Sequence, residues 1–246
     1  MTLRKQQTTQ QFSYSRVECF RKCPYQYKLR YINKYKTLKN QDANNALYLG
    51  NAIHLGLEKK SVKEAFEEYK RHYYQVNDLH IHELIKIEDM LLKGKDLLEQ
   101  MQDKLYNYQG EFIHEYEINL PNYKGYIDLM VKRQDGKVDI YDFKYSNNES
   151  SYISSAQLHI YKYYLEQIGF EVERLGYVFI PKVQIRQKKT ESLWQFRKRL
   201  KETLKEKELY IKWVEYDASK INTYMEDIEH IKTCKEFEKN KTHFCN

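Results

Sequence analysis

Two apolar runs joined by a tight turn restrict the fold of this chain more than any other feature. Lys124-Gly-Tyr-Ile-Asp-Leu-Met-Val131 leads to Asp135-Gly136, and Val138-Asp-Ile-Tyr-Asp-Phe-Lys144 follows. Apolar, β-branched and aromatic residues on both sides of an Asp-Gly pair predict a β-hairpin. Side chains alternate along a strand, so Asp142 and Lys144 share one face while Phe143 takes the other. Asp139 is expected to face away from Asp142. With Asp128 on the first strand, two acids and a lysine converge on one hairpin, a set able to hold Mg²⁺ and activate water.

The flanking segments fix the fold class. Ahead of the hairpin, Ser13-Tyr-Ser15 offers an N-cap, and Pro24 divides the helical residues up to Tyr31 into two pieces. Leu47–Glu58 starts a further helix, with His54 and Glu58 four residues apart on one face. Apolar residues then recur at helical spacing through 61–108, with a break expected near Val76–Leu79. From Gly110 the period switches to two. Residues 111–120 read as a strand, 154–168 as a helix closed by Gly169, and Leu175–Pro181 as a strand stopped by its proline. A hairpin, a helix and another strand allow a crossover that lays the last strand in the same sheet. The expectation is an α/β fold with a small mixed sheet flanked by helices and a helix-rich N-terminal region. A disordered leader is expected over 1–12. A single domain is expected over 13–246, with a helical region (13–110), an α/β core (111–181) and a basic, helical C-terminal region (182–246).

Composition narrows the setting. The 246 residues include 24 tyrosines but only 8 glycines and 3 prolines, which favours long helices. A net charge of +7 suits a polyanionic partner without requiring one. No apolar run approaches the roughly 18 residues that a membrane span needs, and nothing resembles a signal peptide. A cytoplasmic, reducing location is expected, so the four cysteines are read as free thiols or metal ligands rather than disulfides. Residues 182–212 are basic, with Trp194 and Phe196 interleaved. They are either a solvated helical face or a contact to phosphates.

Phosphodiester hydrolysis needs an activated water and a counter-charge for the phosphorane, which carboxylate-held Mg²⁺ can supply together. Asp128 and Asp142 are the natural ligands, and the backbone carbonyl of Phe143 is a candidate third oxygen. Lys144 is placed to position or deprotonate water, or to offset phosphate charge. Glu117, on the preceding strand, and His54 are candidates to complete the set. Gln157 and Tyr161 share a helix face, from which they can brace Lys144 or touch DNA.

Asp128, the Asp142-Phe-Lys144 triplet and Gln157-x-x-x-Tyr161 together resemble the PD-(D/E)xK nuclease superfamily. The likeness is greatest to its RecB-type branch, which includes the nuclease domains of recombinational-repair helicase–nucleases and CRISPR-associated exonucleases. Ser13-Tyr-Ser15, Cys23-Pro24-Tyr-Gln-Tyr27, Gly50-Asn-Ala-Ile-His54 with Glu58, Glu117, and Gly125-Tyr-Ile-Asp128 fall in the family's order. The resemblance implies a restriction-endonuclease-like core and an Mg²⁺- or Mn²⁺-dependent deoxyribonuclease, an exonuclease in repair, recombination, phage or CRISPR-related processing. A structure-selective endonuclease and a non-catalytic nucleic-acid-binding module are the alternatives. Metal binding by His54, Asp128, Asp142 and the Phe143 carbonyl is implied, with Glu117 as a further ligand. Lys144 is given a catalytic role, supported by Gln157 and Tyr161. The implied partners are single-stranded DNA or duplex ends, and a helicase or other recombination or CRISPR proteins.

Members of this branch often hold a [4Fe–4S] cluster through cysteine thiolates, one near the N-terminal Cys-Pro and three near the C-terminus. Cys23 matches the first cluster position, and Cys245 resembles the first of the C-terminal set. The sequence stops where two more would follow, so Cys19 and Cys234 would have to substitute. Either the chain is cut short or it lacks the cluster.

Overall fold

The computed structural model describes residues 10–36, 46–71, 81–180, 182–183, 185–206 and 209–240. Ser13 caps α1 (Tyr14–Lys22), its hydroxyl accepting the Arg16 N–H at 3.2 Å. Proline has no N–H to continue that helix, so Cys23 turns extended and Pro24 opens α2 (Pro24–Tyr27). A π-helical turn over Lys28–Ile32 follows. The long helical stretch resolves into α3 (Ala46–Lys59), α4 (Val62–Arg71) and α5 (Ile81–Lys104). The break expected near Val76–Leu79 lies outside the described residues. Of the expected leader, Gln10–Phe12 are described. Phe12 is 2% exposed and forms a parallel bridge with Tyr123, because burying an aromatic ring outweighs the polar composition around it.

Among the described residues five strands form one sheet in chain order: β1 (Glu111–Asn119), β2 (Lys124–Lys132), β3 (Val138–Tyr145), β4 (Val172–Ile180) and β5 (Tyr210–Val214). Neighbours are antiparallel except β3 and β4, which run parallel and are connected through α6 (Ser150–Ile153) and α7 (Gln157–Gln167). The hairpin turn places Gly136 at φ +83°, a left-handed conformation that a residue without Cβ adopts freely. After β4 come α8 (Leu193–Lys205), β5 and α9 (Ser219–Thr233). The 182–246 region, expected to be helical, also contributes β5 to the sheet. Tyr-Ile-Lys-Trp-Val is short and partly exposed on both faces, so it carries no clean alternation.

Each face of the sheet packs its own core. Ile127, Met130, Ile140, Tyr177 and Phe179 meet Val17, Phe20, Leu158, Tyr164, Ile221 and Tyr224 of α1, α7 and α9. On the other face Leu129, Val131, Tyr141, Phe143 and Val178 meet Ile53, Leu57, Tyr69, Met90, Leu91 and Phe196 of α3, α4, α5 and α8. The result is the α/β architecture expected from sequence: a mixed sheet with helices on both faces. None of the described helices is long and apolar enough to cross a membrane.

Candidate active site

The hairpin is not zipped to its end. β2 and β3 pair from Lys132 and Val138 only as far as Leu129 and Tyr141. β3 stays bonded to β4 through Tyr145, so β2 and β3 part beyond that point. Asp128 and Asp142 are the next residue on each strand. The opening leaves the Phe143 N–H without a strand partner, and the Asp128 carboxylate fills the place, accepting that N–H at 2.6 Å. A buried amide needs an acceptor, so the aspartate repairs the ladder it interrupts.

His54 enters from α3, on the opposite face from α7. Its ring packs edge-on to Phe143, with centroids 6.0 Å apart, and its Nδ1 lies 3.4 Å from Asp128 Oδ2. On the other side of β3, Asp142 is 1% exposed and ion-paired with Lys144. Lys144 Nζ donates to Gln157 Oε1 at 3.2 Å, and Gln157 Nε2 donates to the Tyr161 hydroxyl at 3.0 Å. The helix motif therefore braces the lysine. Gly125 serves the same brace, because a Cβ there would sit 2.7 Å from the Tyr123 hydroxyl and 3.0 Å from the Tyr161 ring.

The acid from β1 is not the one expected. Glu117 was the candidate, but it is exposed on the surface, paired with Lys124 at 2.7 Å and accepting from the Tyr126 hydroxyl at 3.1 Å. Glu115 takes the place beside the site instead. Ligand atoms of His54, Glu115 and Asp128 all lie within 4.8 Å of one another. Backbone geometry explains the exchange. Glu115 has φ +50°, and both strands lose their alternation beside it. On β1, Ile113 and then Tyr116 and Ile118 face the α7 core, whereas Phe112 faces the other. On β2, Ile127 faces the α7 core, yet Leu129 and Val131, of the same parity, face the opposite one. A left-handed non-glycine residue costs about 1–3 kcal/mol, and here that strain turns an acid inward. The sequence contains no signal for it beyond a second glutamate two residues away.

Electrostatics bind these groups into one unit. Burial works against the charge on His54, but the Asp128 carboxylate outweighs it and raises the imidazole to about 9. Burial likewise opposes ionisation of Asp128, yet the His54 and Lys144 cations and the Phe143 N–H hold it below its ordinary value. Asp142 is pushed up to about 6, by burial that the Lys144 ammonium only partly offsets, with the Asp128 charge adding to the rise. Glu115 is pushed up to about 7 by burial and then by the Asp128 charge. For Lys144, burial is outweighed by Asp142 and the ammonium is retained. Three acids crowded around one imidazole and one ammonium form a site short of positive charge. The donors, carboxylate oxygens and one imidazole nitrogen, suit a hard divalent cation.

Among the described residues the cysteines gather no such set. Cys23 is buried, its Sγ accepts the Gln26 N–H at 3.3 Å, and it is disulfide-bonded, which corrects the expectation of thiols alone; Cys245 lies outside the described residues. Cys19 and Cys234 are free, and burial pushes the Cys19 thiol up, away from the thiolate that iron requires. In the basic region the two aromatics part ways. Phe196 is buried in the core, whereas Trp194 is 71% exposed with the Lys198 ammonium 5.9 Å from its ring.

A mixed sheet whose central strands open around two acids and a lysine defines a restriction-endonuclease-like nuclease fold. The sequence matches the model of the PD-(D/E)XK nuclease superfamily over residues 11–245, and the chain belongs to that superfamily. The fold is similar to that of a Eubacterium rectale protein named as a candidate exonuclease. Identity to that protein is 13%, the TM-score is 0.58, and the match covers 100% of this chain and 92% of the other. The structure of SSO0001 is more distant, at 14% identity and a TM-score of 0.33, covering 87% of this chain and 85% of that one. No curated protein matches.

Proposed function

We propose that the protein is a divalent-metal-dependent deoxyribonuclease of the RecB-type branch, acting as an exonuclease on DNA ends. The observation that carries this reading is the convergence of His54, Glu115 and Asp128 beside the buried Asp142–Lys144 pair. His54, Glu115, Asp128 and Asp142, with the Phe143 carbonyl, would hold Mg²⁺ or Mn²⁺. The bound ion would supply Lewis acidity and a water of lowered pKa. The chain's own residues do the rest. Asp128 and Asp142 fix the ligand geometry from two parted strands. Lys144, held as an ammonium by Asp142 and aimed by Gln157, offsets the charge that develops on the phosphate, a role for which it needs no proton removed. Tyr161 fixes the Gln157 amide in turn. DNA is the partner, with a helicase or other recombination or CRISPR proteins as associates.

The test is incubation with linear and circular DNA, single- and double-stranded, in Mg²⁺ and in Mn²⁺. Nucleotide release from linear DNA alone, lost in Asp142→Asn and Lys144→Ala, is the expected result. Cleavage of circles would replace the exonuclease with an endonuclease. Binding without cleavage under either metal would leave a nucleic-acid-binding module on a nuclease fold.

A further inference from the structure

Gln157 is the first residue of α7, and the aim of its amide depends on what holds that helix start. The N-cap residue, Ala156, has no capping group. Instead Ser155 Oγ accepts the Gln157 N–H at 3.1 Å and bonds the Tyr14 hydroxyl of α1 at 2.8 Å. The turn ahead of Gln157 is held from a distant part of the chain. Lys220, in the first turn of α9, donates from Nζ to the carbonyls of Ser155 at 3.1 Å and Ile153 at 3.4 Å. The same Nζ lies 3.2 Å from Nε2 of His159, which is 1% exposed on α7. His159 Nδ1 accepts the Asp217 N–H at 3.1 Å. A neutral imidazole has one lone pair, so His159 can accept from the Asp217 amide or from the ammonium but not from both. The two carbonyls are the acceptors that Lys220 keeps with either tautomer.

We propose that Lys220 is a positioning residue for phosphodiester cleavage. By fixing the Ile153–Ser155 turn from α9, it sets the start of α7 and so the Gln157 amide that orients Lys144. This role rests on the nuclease reading above. The chain of contacts runs Lys220, Ser155, Gln157, Lys144, each link a hydrogen bond. A catalytic lysine displaced by a fraction of an ångström loses rate steeply, whereas substrate affinity does not depend on that aim. Lys220 also borders a cavity of about 830 Å³ together with Tyr14, Ser155 and Gln157. Direct contact with a substrate phosphate is therefore the rival role, and it predicts different kinetics.

Single-turnover cleavage and DNA affinity, measured for K220M, K220R, Q157A and the K220M/Q157A double variant, separate the two. The expected result is a loss of about tenfold in rate for K220M at unchanged affinity. K220R, which keeps a cation able to donate to both carbonyls, should recover most of it. The double variant should be no slower than Q157A alone, because the two act on the same group. Amide exchange in K220M should quicken across 155–158 while the sheet stays protected. Weaker binding with a shallower salt dependence and an unchanged rate would assign Lys220 to a phosphate and overturn the proposal. So would multiplicative losses in the double variant, or native exchange at 155–158. A wild-type protein that cleaves no DNA would instead remove the nuclease reading itself.

Discussion

β3 buries two aspartates three residues apart, and they lead opposite lives. Asp139, 0% exposed, faces the α5 side. Its Oδ2 accepts the Tyr106 hydroxyl at 2.7 Å, and Arg133 and Arg174 each approach it at 3.7 Å. Tyr141 joins by a hydrogen bond to Tyr106. Asp142 faces α7 with Lys144 as its ion-pair partner and with the charge of Asp128 against it. Residue type, strand and burial are the same. The difference lies in the company: cations and hydroxyls surround one carboxylate, while other acids crowd the other. Burial raises both carboxyls. At Asp139 the Tyr106 hydroxyl and the Arg174 and Arg133 guanidiniums all pull against it, whereas at Asp142 the Asp128 charge adds to the rise. That makes Asp142 the candidate for a cation from solution.

That contrast is most exposed to test by paired substitution. Asp142→Asn should cut the cleavage rate by about a thousandfold, roughly 4 kcal/mol of barrier. Tm in EDTA should be little changed, because relief of the buried carboxylate is set against loss of the Lys144 partner. The relief follows from the raised pKa. The folded state disfavours the ionised carboxylate, so its stability cost appears as pH rises from the ordinary 3.8 through about 6 and persists at neutral pH. Asp139→Ala should do the reverse. Burial raises that carboxyl too, but its removal leaves the buried Tyr106 hydroxyl and two guanidiniums without their acceptor. The loss should destabilise by about 3 kcal/mol in denaturant titration while folded protein keeps its rate.

Next in size is the β1 glutamate. Glu115→Gln should weaken Mn²⁺ binding by about tenfold to a hundredfold in calorimetry, and Glu117→Gln should leave it within about twofold. Equal effects would break the assignment of Glu115 as the inward acid. A pH series then sharpens the comparison of occupied and vacant charge. His54 is raised from 6.5 to about 9, so its contribution to stability is complete below pH 6.5 and is lost as pH climbs through about 9. Tm in EDTA should fall over that window, and His54→Ala should flatten the fall. Mn²⁺ affinity should rise over the same range with net proton release, read from calorimetry in buffers of different ionisation enthalpy. The smallest effect is expected at the surface, where Trp194→Ala should raise KM for single-stranded DNA by a few-fold and leave kcat alone.

How much of this was legible in the sequence depends on whether the backbone was regular. Asp142, Lys144 and the Gln157–Tyr161 brace follow from strand alternation and helical spacing, and so does the opposition of Asp139 and Asp142. Asp128 is legible by residue type and motif, since alternation breaks on its strand. His54 was readable as a candidate by residue type and resemblance, although nothing local told that α3 would reach through the sheet opening. Glu115 was not readable, since a positive φ on a non-glycine residue has no compositional mark and regular alternation treats Glu115 and Glu117 alike. β5 was hidden by its shortness and its lysine. Trp194 and Phe196 look alike in the sequence because spacing alone does not fix the helix phase against the core.

The opening between β2 and β3 has a practical consequence for anyone wishing to trap this protein on its substrate. Asp128 is a splint as well as a candidate ligand: its carboxylate closes the sheet at the Phe143 amide. Removing it would take a candidate ligand from the site and at the same time unpick the scaffold, so an Asp128 variant would misreport the shape of the bound state. Asp142 carries no such duty to the backbone, and its amide variant is the better decoy.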